Sequence, residues 1–438
     1  MSPIGTDILA GASLFIPPEP DSLETIDIEP TTIEGLVLKT LATRSSMVAR
    51  DLADYLCLPY FNIVEPVIEQ LRANRLIEIT QGDIQAISYN LTISDAGRMR
   101  ANQFFEQSAY NGPAPVSIET YYEAIKTQTI RNIQVNERKL NAAFDDLLFE
   151  KEILQQVGPA VNSGQSIFLY GPPGNGKTSI SERIVKAFGG NIFIPNCIEV
   201  SGAIVRLFDD YNHNEITDPT QDARLNQKYD QRWRLISRPV IIVGGELTMA
   251  SLDLIWSEES RFYEAPFQMK ANGGAFMIDD FGRQRMDPKE LLNRWIVPLE
   301  KKVDYLTLHT GVKMEIPFDQ LIIISTNLDP KDLVDEAFLR RIRYKIPINN
   351  PSEENFKGIW KIMSDIKGFP YSDEVVDYFI QKHMQPHGRP YRGCLPRDIL
   401  ELVGDSCRFQ QISLTITPEL LDAAADAYFV DLEDRLTP

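Results

Sequence analysis

The stretch Ile167-Phe168-Leu169-Tyr170-Gly171-Pro172-Pro173-Gly174-Asn175-Gly176-Lys177-Thr178 constrains this chain more than any other. Four apolar residues predict a buried strand, and a glycine-rich turn follows. Lys177-Thr178 then opens a helix whose Ile180, Ile184, Val185 and Phe188 share one face before Gly189-Gly190 stops it. The spacing is G-x-x-x-x-G-K-T in a strand–loop–helix setting, which is what a phosphate-binding loop requires. Glycines let successive backbone N–H groups converge on phosphate without interference from Cβ atoms, and the helix N-terminus adds positive potential. Lys177 supplies a point charge for β- and γ-phosphates, and the Thr178 hydroxyl can ligate Mg²⁺. Residues 171–176, Lys177, Thr178 and Ser179 are therefore the expected nucleotide contacts. A plain Gly/Pro turn is the alternative, and the complete, correctly flanked motif argues against it.

Two later stretches have the same form. Gly274-Ala275-Phe276-Met277-Ile278-Asp279-Asp280 reads as a strand ending in paired carboxylates. At a strand end beside a phosphate loop, Asp279 can hold Mg²⁺ and Asp280 can orient an attacking water. Leu321-Ile322-Ile323-Ile324-Ser325-Thr326-Asn327 is a second buried strand with a polar end. The Asn327 amide there can meet a γ-phosphate or the water; an Asx-turn is the structural alternative.

Composition narrows the class. Lys and Arg number 44 against 62 Asp and Glu, a net charge of −18, which argues against broad electrostatic binding to nucleic acid or acidic membranes. The four cysteines show no C-x-x-C spacing and suit a reducing compartment. No apolar run approaches the roughly 20 residues that span a bilayer, and no basic signal-peptide region opens the chain, so a cytoplasmic protein is expected. His383 and His387 are separated by Pro386 and offer no zinc pair on a helix.

In chain order, residues 1–34 carry seven acidic residues, no basic ones and five prolines. They read as an acidic extended segment, loose or docked through Leu14-Phe15-Ile16. Residues 35–108 read as three helices, a hairpin around Gly82-Asp83 and a closing helix capped by Ser94, an order that resembles a winged helix-turn-helix. Its third helix sets Glu65 and Glu69 against Arg72 and, just beyond it, Arg75, nearly balanced in charge, so the expectation is protein docking, with DNA binding as the alternative. Residues 109–160 form a helical linker able to close over a nucleotide base. Residues 161–348 alternate strands and helices, which implies an α/β core with a parallel sheet. Within them the polar stretch 209–232 reads as a surface excursion. Residues 349–438 read as a helical lid.

Taken together, the ordered motifs resemble the AAA+ ATPases: Walker A at 171–178, Walker B at 276–280, sensor 1 at Asn327. Ala337-Phe338-Leu339-Arg340-Arg341-Ile342 resembles the arginine-finger segment, and Gly393-Cys394-Leu395-Pro396-Arg397-Asp398-Ile399 resembles the sensor 2 signature. The alternating stretch 304–318 reads as a hairpin before sensor 1, as in the branch with MoxR-type chaperones, magnesium chelatase subunits and σ54 activators. No Gly-Ala-Phe-Thr-Gly-Ala loop is present, which weighs against transcriptional activation.

The resemblance implies a P-loop NTPase core that binds ATP and Mg²⁺. It further implies a homo-oligomer, a hexamer, acting on an unidentified protein client. Arg341 with Arg340 would reach a neighbouring subunit's nucleotide, and Arg397 would sense it in cis. One departure is Asp280, where the family usually has Glu. Asp reaches about 1.5 Å less, so the backbone sits closer, another acid such as Glu246 assists, or hydrolysis is slow. The competing functions are a DNA-binding regulatory ATPase and a slow nucleotide-gated scaffold.

Overall fold

A computed structural model describes residues 15–80, 87–145, 148, 151–333 and 339–429. It comprises two compact units, one drawn from Met1–Gln134, Phe188–Met277 and Gln284–Ile322, the other from Val135–Ala187, Ile278–Arg283 and Ile323–Pro438. The strands Ala275–Ile278 and Leu321–Thr326 each pass from the first unit to the second along their own length.

The first unit opens with the helix Pro30–Arg44, whose proline sits in its first turn, where no N–H partner is lost. Leu36, Val37, Leu38 and Leu41 are fully buried along it. Helices Ala49–Leu56, Glu65–Ala73 and Asp95–Gln107 accompany a three-stranded antiparallel sheet ordered Ser46–Val48, Asn90–Ile93, Ile77–Ile79. Ser94 caps the last helix, its hydroxyl accepting the Gly97 N–H at 3.0 Å. The Gly82-Asp83 turn lies outside the described residues.

Beyond this part of the first unit, a five-stranded sheet runs in the order Ile255–Trp256, Tyr263–Glu264, Ala203–Arg206, Cys197–Val200, Val116–Ser117. Two hairpins, Asn191–Pro195 with Trp233–Ser237 and Val303–Thr307 with Lys313–Pro317, share a core with it through Phe193, Trp233, Tyr263 and Leu306. The second hairpin follows the alternation of its sequence: Asp304 and Leu306 face inward, Tyr305 and Thr307 outward.

The stretch 209–232 is exposed along most of its length, as its polarity predicts, but it is pinned by buried polar side chains. Arg224, Asp230, Arg232 and His213 are all buried. Arg232 donates to Asp27 at 2.7 Å, to Asp230 at 2.8 Å and to the Pro115 carbonyl at 2.8 Å. Asp27 belongs to the acidic lead segment, which is docked over residues 15–29. There the Pro17 carbonyl accepts the Asp230 N–H at 3.0 Å, and Phe15 meets Trp233 edge-on at 5.9 Å. The buried charges of the two stretches neutralise one another and so can leave water together, which polarity alone does not announce.

The second unit holds the parallel core. Ile167–Tyr170 lies between Leu321–Thr326 and Tyr344–Pro347, parallel to both, with Ile167 opposite Ile323 and Tyr344. Burial of nearly every residue in these strands explains their continuous apolar runs. Helices Glu353–Lys367, Asp373–Phe379, Leu395–Gln410 and Pro418–Tyr428 close around Phe356, Trp360, Phe379 and Val403. The fold is mixed α/β, a core with a parallel sheet followed by a helical part. Among the described residues, no helix is long and apolar enough to cross a membrane.

Removing Arg232 leaves the carboxylate of Asp230, only 3% exposed, without its counter-charge. Arg232→Ala is expected to cost about 3–5 kcal/mol, read as a lowered urea midpoint. Lys228→Ala, which loses only an exposed bridge to Glu19, is expected to leave that midpoint unchanged.

Candidate functional site

The strand Ile167–Tyr170 ends where the chain must turn sharply under its neighbour. Gly171 has φ 138°, and a Cβ there would come within 2.3 Å of the Ile348 carbonyl oxygen. Gly174 has φ 81°, and its Cβ would meet Cys394 Sγ at 2.6 Å. Only glycine fits either position, so the loop is a cradle that side chains would fill. The helix Lys177–Phe188 starts directly after it.

A cleft of about 530 Å³ opens over this loop, all of it within the second unit. Its floor is residues 173–179, with Asp279, Asp280 and Asn327 beside them. Lys177, 7% exposed, donates to the Gly171 and Pro172 carbonyls at 2.9 Å each and to Asn327 Oδ1 at 2.7 Å. Burial pushes its ammonium below the usual lysine range, opposed by the charges of Asp279 and Asp280. Asn327 Nδ2 in turn donates to Asp280 Oδ1 at 3.0 Å. The Thr178 hydroxyl donates to Asp279 Oδ2 at 2.7 Å, and Asp279 Oδ1 accepts the Asp280 N–H at 2.9 Å.

A hydroxyl and a carboxylate side by side are the hard oxygen donors that Mg²⁺ takes from proteins, the rest coming from phosphate and water. The donor set at Thr178 and Asp279 therefore fits that ion. Among the described residues, no cluster of three or more His, Cys, Asp or Glu side chains has metal-binding geometry.

Asp280 sits at φ 50°. Few side chains tolerate this left-handed region, and Asp and Asn are enriched there because a short polar group can bond locally. This is a physical reason for Asp rather than the longer Glu at this position. Glu246, the alternative acid, turns back on its own loop and accepts the Gly244 N–H at 2.8 Å.

The remaining expected residues divide. Pro173, Asn175, Gly176, Ser179 and Arg397 line the cleft. The Arg397 guanidinium donates twice to Asp398, at 2.9 and 2.8 Å. Arg340 is exposed and Arg341 half-buried, its carbonyl accepting from the Ser166 hydroxyl at 3.4 Å; neither lines the cleft. Ala337 and Phe338 lie outside the described residues. The upper wall is apolar, formed by Leu148, Ile359, Ile362 and Met363. Leu148 falls in the linker expected to close over a base, and its Cδ1 sits 2.7 Å from where a Cβ on Gly358 would be. Sequence reasoning did not name the three residues on Glu353–Lys367. Their spacing marks an apolar helical face but not whether that face meets a core or a cleft.

Comparison with known proteins gives distant likenesses. A domain of unknown function, DUF8689, matches residues 352–427. No curated protein matches the chain. Among solved structures, NtrX from Brucella abortus in complex with ATP is similar at 14% identity, covering 65% of this chain and 57% of that one, with a TM-score of 0.40. A RuvB variant from Thermotoga maritima is similar at 11% identity over 65% and 72% of the two chains, TM-score 0.38. The Thermotoga maritima RuvB Holliday junction branch migration motor is similar at 12% identity over 67% and 70%, TM-score 0.34. The chain thus spans a little over half the length of the NtrX structure.

The backbone at Asp280 yields a direct test. Asp280→Asn keeps a residue suited to φ 50° and is expected to hold the wild-type urea midpoint. Asp280→Glu is expected to lose about 1 kcal/mol. Equal midpoints for the two variants would remove the backbone explanation for Asp.

Proposed function

We propose that this chain is a Mg²⁺-dependent ATPase of the AAA+ type that assembles as a homo-oligomeric ring, a hexamer, and remodels a protein client in the cytoplasm. The observation that carries the reading is the network under one cleft, in which Lys177 bonds Asn327, Asn327 bonds Asp280, and Thr178 bonds Asp279. Phosphate chemistry needs a buried cation, a hydroxyl–carboxylate pair for the metal and a carboxylate for water, all within one hydrogen-bonded set.

In this reading the backbone of 171–176 and Ser179 cradle the phosphates, and Lys177 compensates their charge. Thr178 and Asp279 hold Mg²⁺, which neutralises charge developing on the phosphates. Asp280 accepts a proton from the attacking water while Asn327 orients it. The apolar wall of Leu148, Ile359, Ile362 and Met363 takes the base, and Arg397 contacts the γ-phosphate side from the same cleft. Arg341, with Arg340, serves the nucleotide of a neighbouring subunit.

Residues 35–108 are assigned to protein docking on a winged-helix-like scaffold. The helix Glu65–Ala73 pairs Glu69 with Arg72 at 3.7 Å, leaving little cationic surface for phosphate backbone. Salt-dependent DNA binding by the full chain, lost on Arg72→Glu, would replace this assignment with a DNA-binding regulator. Single-turnover ATP cleavage no faster than the uncatalysed rate would reduce the protein to a nucleotide-gated scaffold.

Lys177→Ala is expected to abolish ATP binding measured by calorimetry. Specific ATPase activity is expected to rise with protein concentration as the ring assembles, and Arg341→Ala to lower kcat by about 10³-fold with binding retained. Full specific activity in a dilute monomer rules out the trans-acting arginine.

A further inference from the structure

The helix Leu395–Gln410, which carries Arg397, begins without a side-chain cap of its own. The N–H groups just ahead of it, on Gly393 and Cys394, need acceptors. Both find them on the phosphate loop. Asn175 Oδ1 accepts the Gly393 N–H at 3.0 Å, and the Gly174 carbonyl accepts the Cys394 N–H at 2.7 Å. The other end of the Asn175 amide, Nδ2, donates to Asn350 Oδ1 at 2.9 Å. Asn175 is 6% exposed, so both ends of its amide are committed inside the protein. A Cβ on Gly393 would lie 3.3 Å from the Gly174 carbonyl oxygen, a tight approach that favours glycine here.

The loop position between Gly174 and Gly176 has no backbone reason to be Asn, and the hydrogen bonds of its side chain run to Gly393 and Asn350 rather than to the Lys177 ammonium. We propose that Asn175 is a positioning residue, a latch through which the phosphate loop caps the helix Leu395–Gln410 and sets the contribution of Arg397 to nucleotide recognition. The proposal rests on the nucleotide-binding reading above. It assigns the Asn175 side chain no contact with the nucleotide: the side chain acts through the Gly393 amide, next to the Cys394 amide held by the Gly174 carbonyl, hence through the helix start two residues before Arg397. Because Gly174 and Asn175 belong to the phosphate-binding backbone, displacement of the loop by a bound phosphate is transmitted to that helix by these two hydrogen bonds.

The hydrogen-bond chemistry predicts which substitutions spare the latch. In Asn175→Asp the carboxylate would still accept from Gly393, and Asn350 can rotate its amide to donate where it now accepts. Asn175→Ala leaves the Gly393 N–H and the Asn350 amide unpartnered.

The test uses the full chain with two readouts. Hydrogen exchange without nucleotide is expected to show the Gly393 and Cys394 amides protected, exchanging about tenfold faster in Asn175→Ala and as wild type in Asn175→Asp. Titration with mant-ATP and mant-ADP is expected to show that Arg397→Ala lowers the preference for ATP over ADP in wild type and in Asn175→Asp. In Asn175→Ala the same change is expected to add nothing. A merely structural role for Asn175 would let the two substitutions multiply. Multiplying effects, or unchanged exchange at residues 393–394 in Asn175→Ala, overturn the latch while ATP binding stands. A wild-type chain that binds neither probe overturns the nucleotide reading, and the coupling to Arg397 with it.

Discussion

The arrangement of the second unit turns on one buried positive charge. An ammonium that is 7% exposed is costly to hold away from water, and Lys177 is held by three oxygens, the carbonyls of Gly171 and Pro172 and the amide of Asn327. These come from two separate elements. The two carbonyls exist in that orientation only because the loop turns through glycine conformations, and the amide arrives at the end of a parallel strand. Since Ile167–Tyr170 and Leu321–Thr326 are registered with Ile167 opposite Ile323, their ends coincide, and Asn327 falls beside the loop rather than above or below it. The cradle is thus a consequence of strand register, and a slip of the pairing would leave the lysine without its third partner.

The same economy appears at the next element. Helix starts are ordinarily satisfied by a local Ser, Thr, Asp or Asn, as Ser94, Ser117 and Ser352 do elsewhere in this chain. The helix Leu395–Gln410 instead takes its acceptors from Gly174 and Asn175, the latter 218 residues from Gly393 in sequence. A local cap makes a helix independent of its surroundings. A remote cap makes its start sensitive to the loop that provides it, as the nucleotide sensing proposed for this helix would require.

Legibility from sequence followed the range of the interactions. The strands at 167–170, 275–278 and 321–326 and the hairpin flanking Gly311 were readable because their signals are local: apolar runs, alternation and a turn. The strand–loop–helix junction at 167–188 was readable because its signals are complete within one loop and the elements flanking it. The burial of Arg224 and Arg232 was not: each has a carboxylate two residues away, but the distant partners, the Asn191 carbonyl for Arg224 and Asp27 with the Pro115 carbonyl for Arg232, are not announced by sequence. Asn175 was read as one more loop residue, because nothing near it in sequence announces Gly393 or Asn350. The apolar wall at Ile359, Ile362 and Met363 was visible as periodicity and silent as to what it faces.

The Asp at 280 shows how backbone and chemistry trade against each other. Asp280 sits at φ 50°, its N–H donates to Asp279 Oδ1, and its Oδ1 accepts from Asn327. A Glu would extend farther toward a water but would strain this bend, loosening the carboxylate that Asn327 positions. The shorter acid keeps the network Lys177–Asn327–Asp280 closed, so what is lost in reach is exchanged for a fixed orientation. For the general-base role proposed for Asp280, orientation is the scarcer quantity, because misplacement by about 1 Å costs about 10²-fold, and a carboxylate tied through Asn327 to Lys177 cannot drift independently of it.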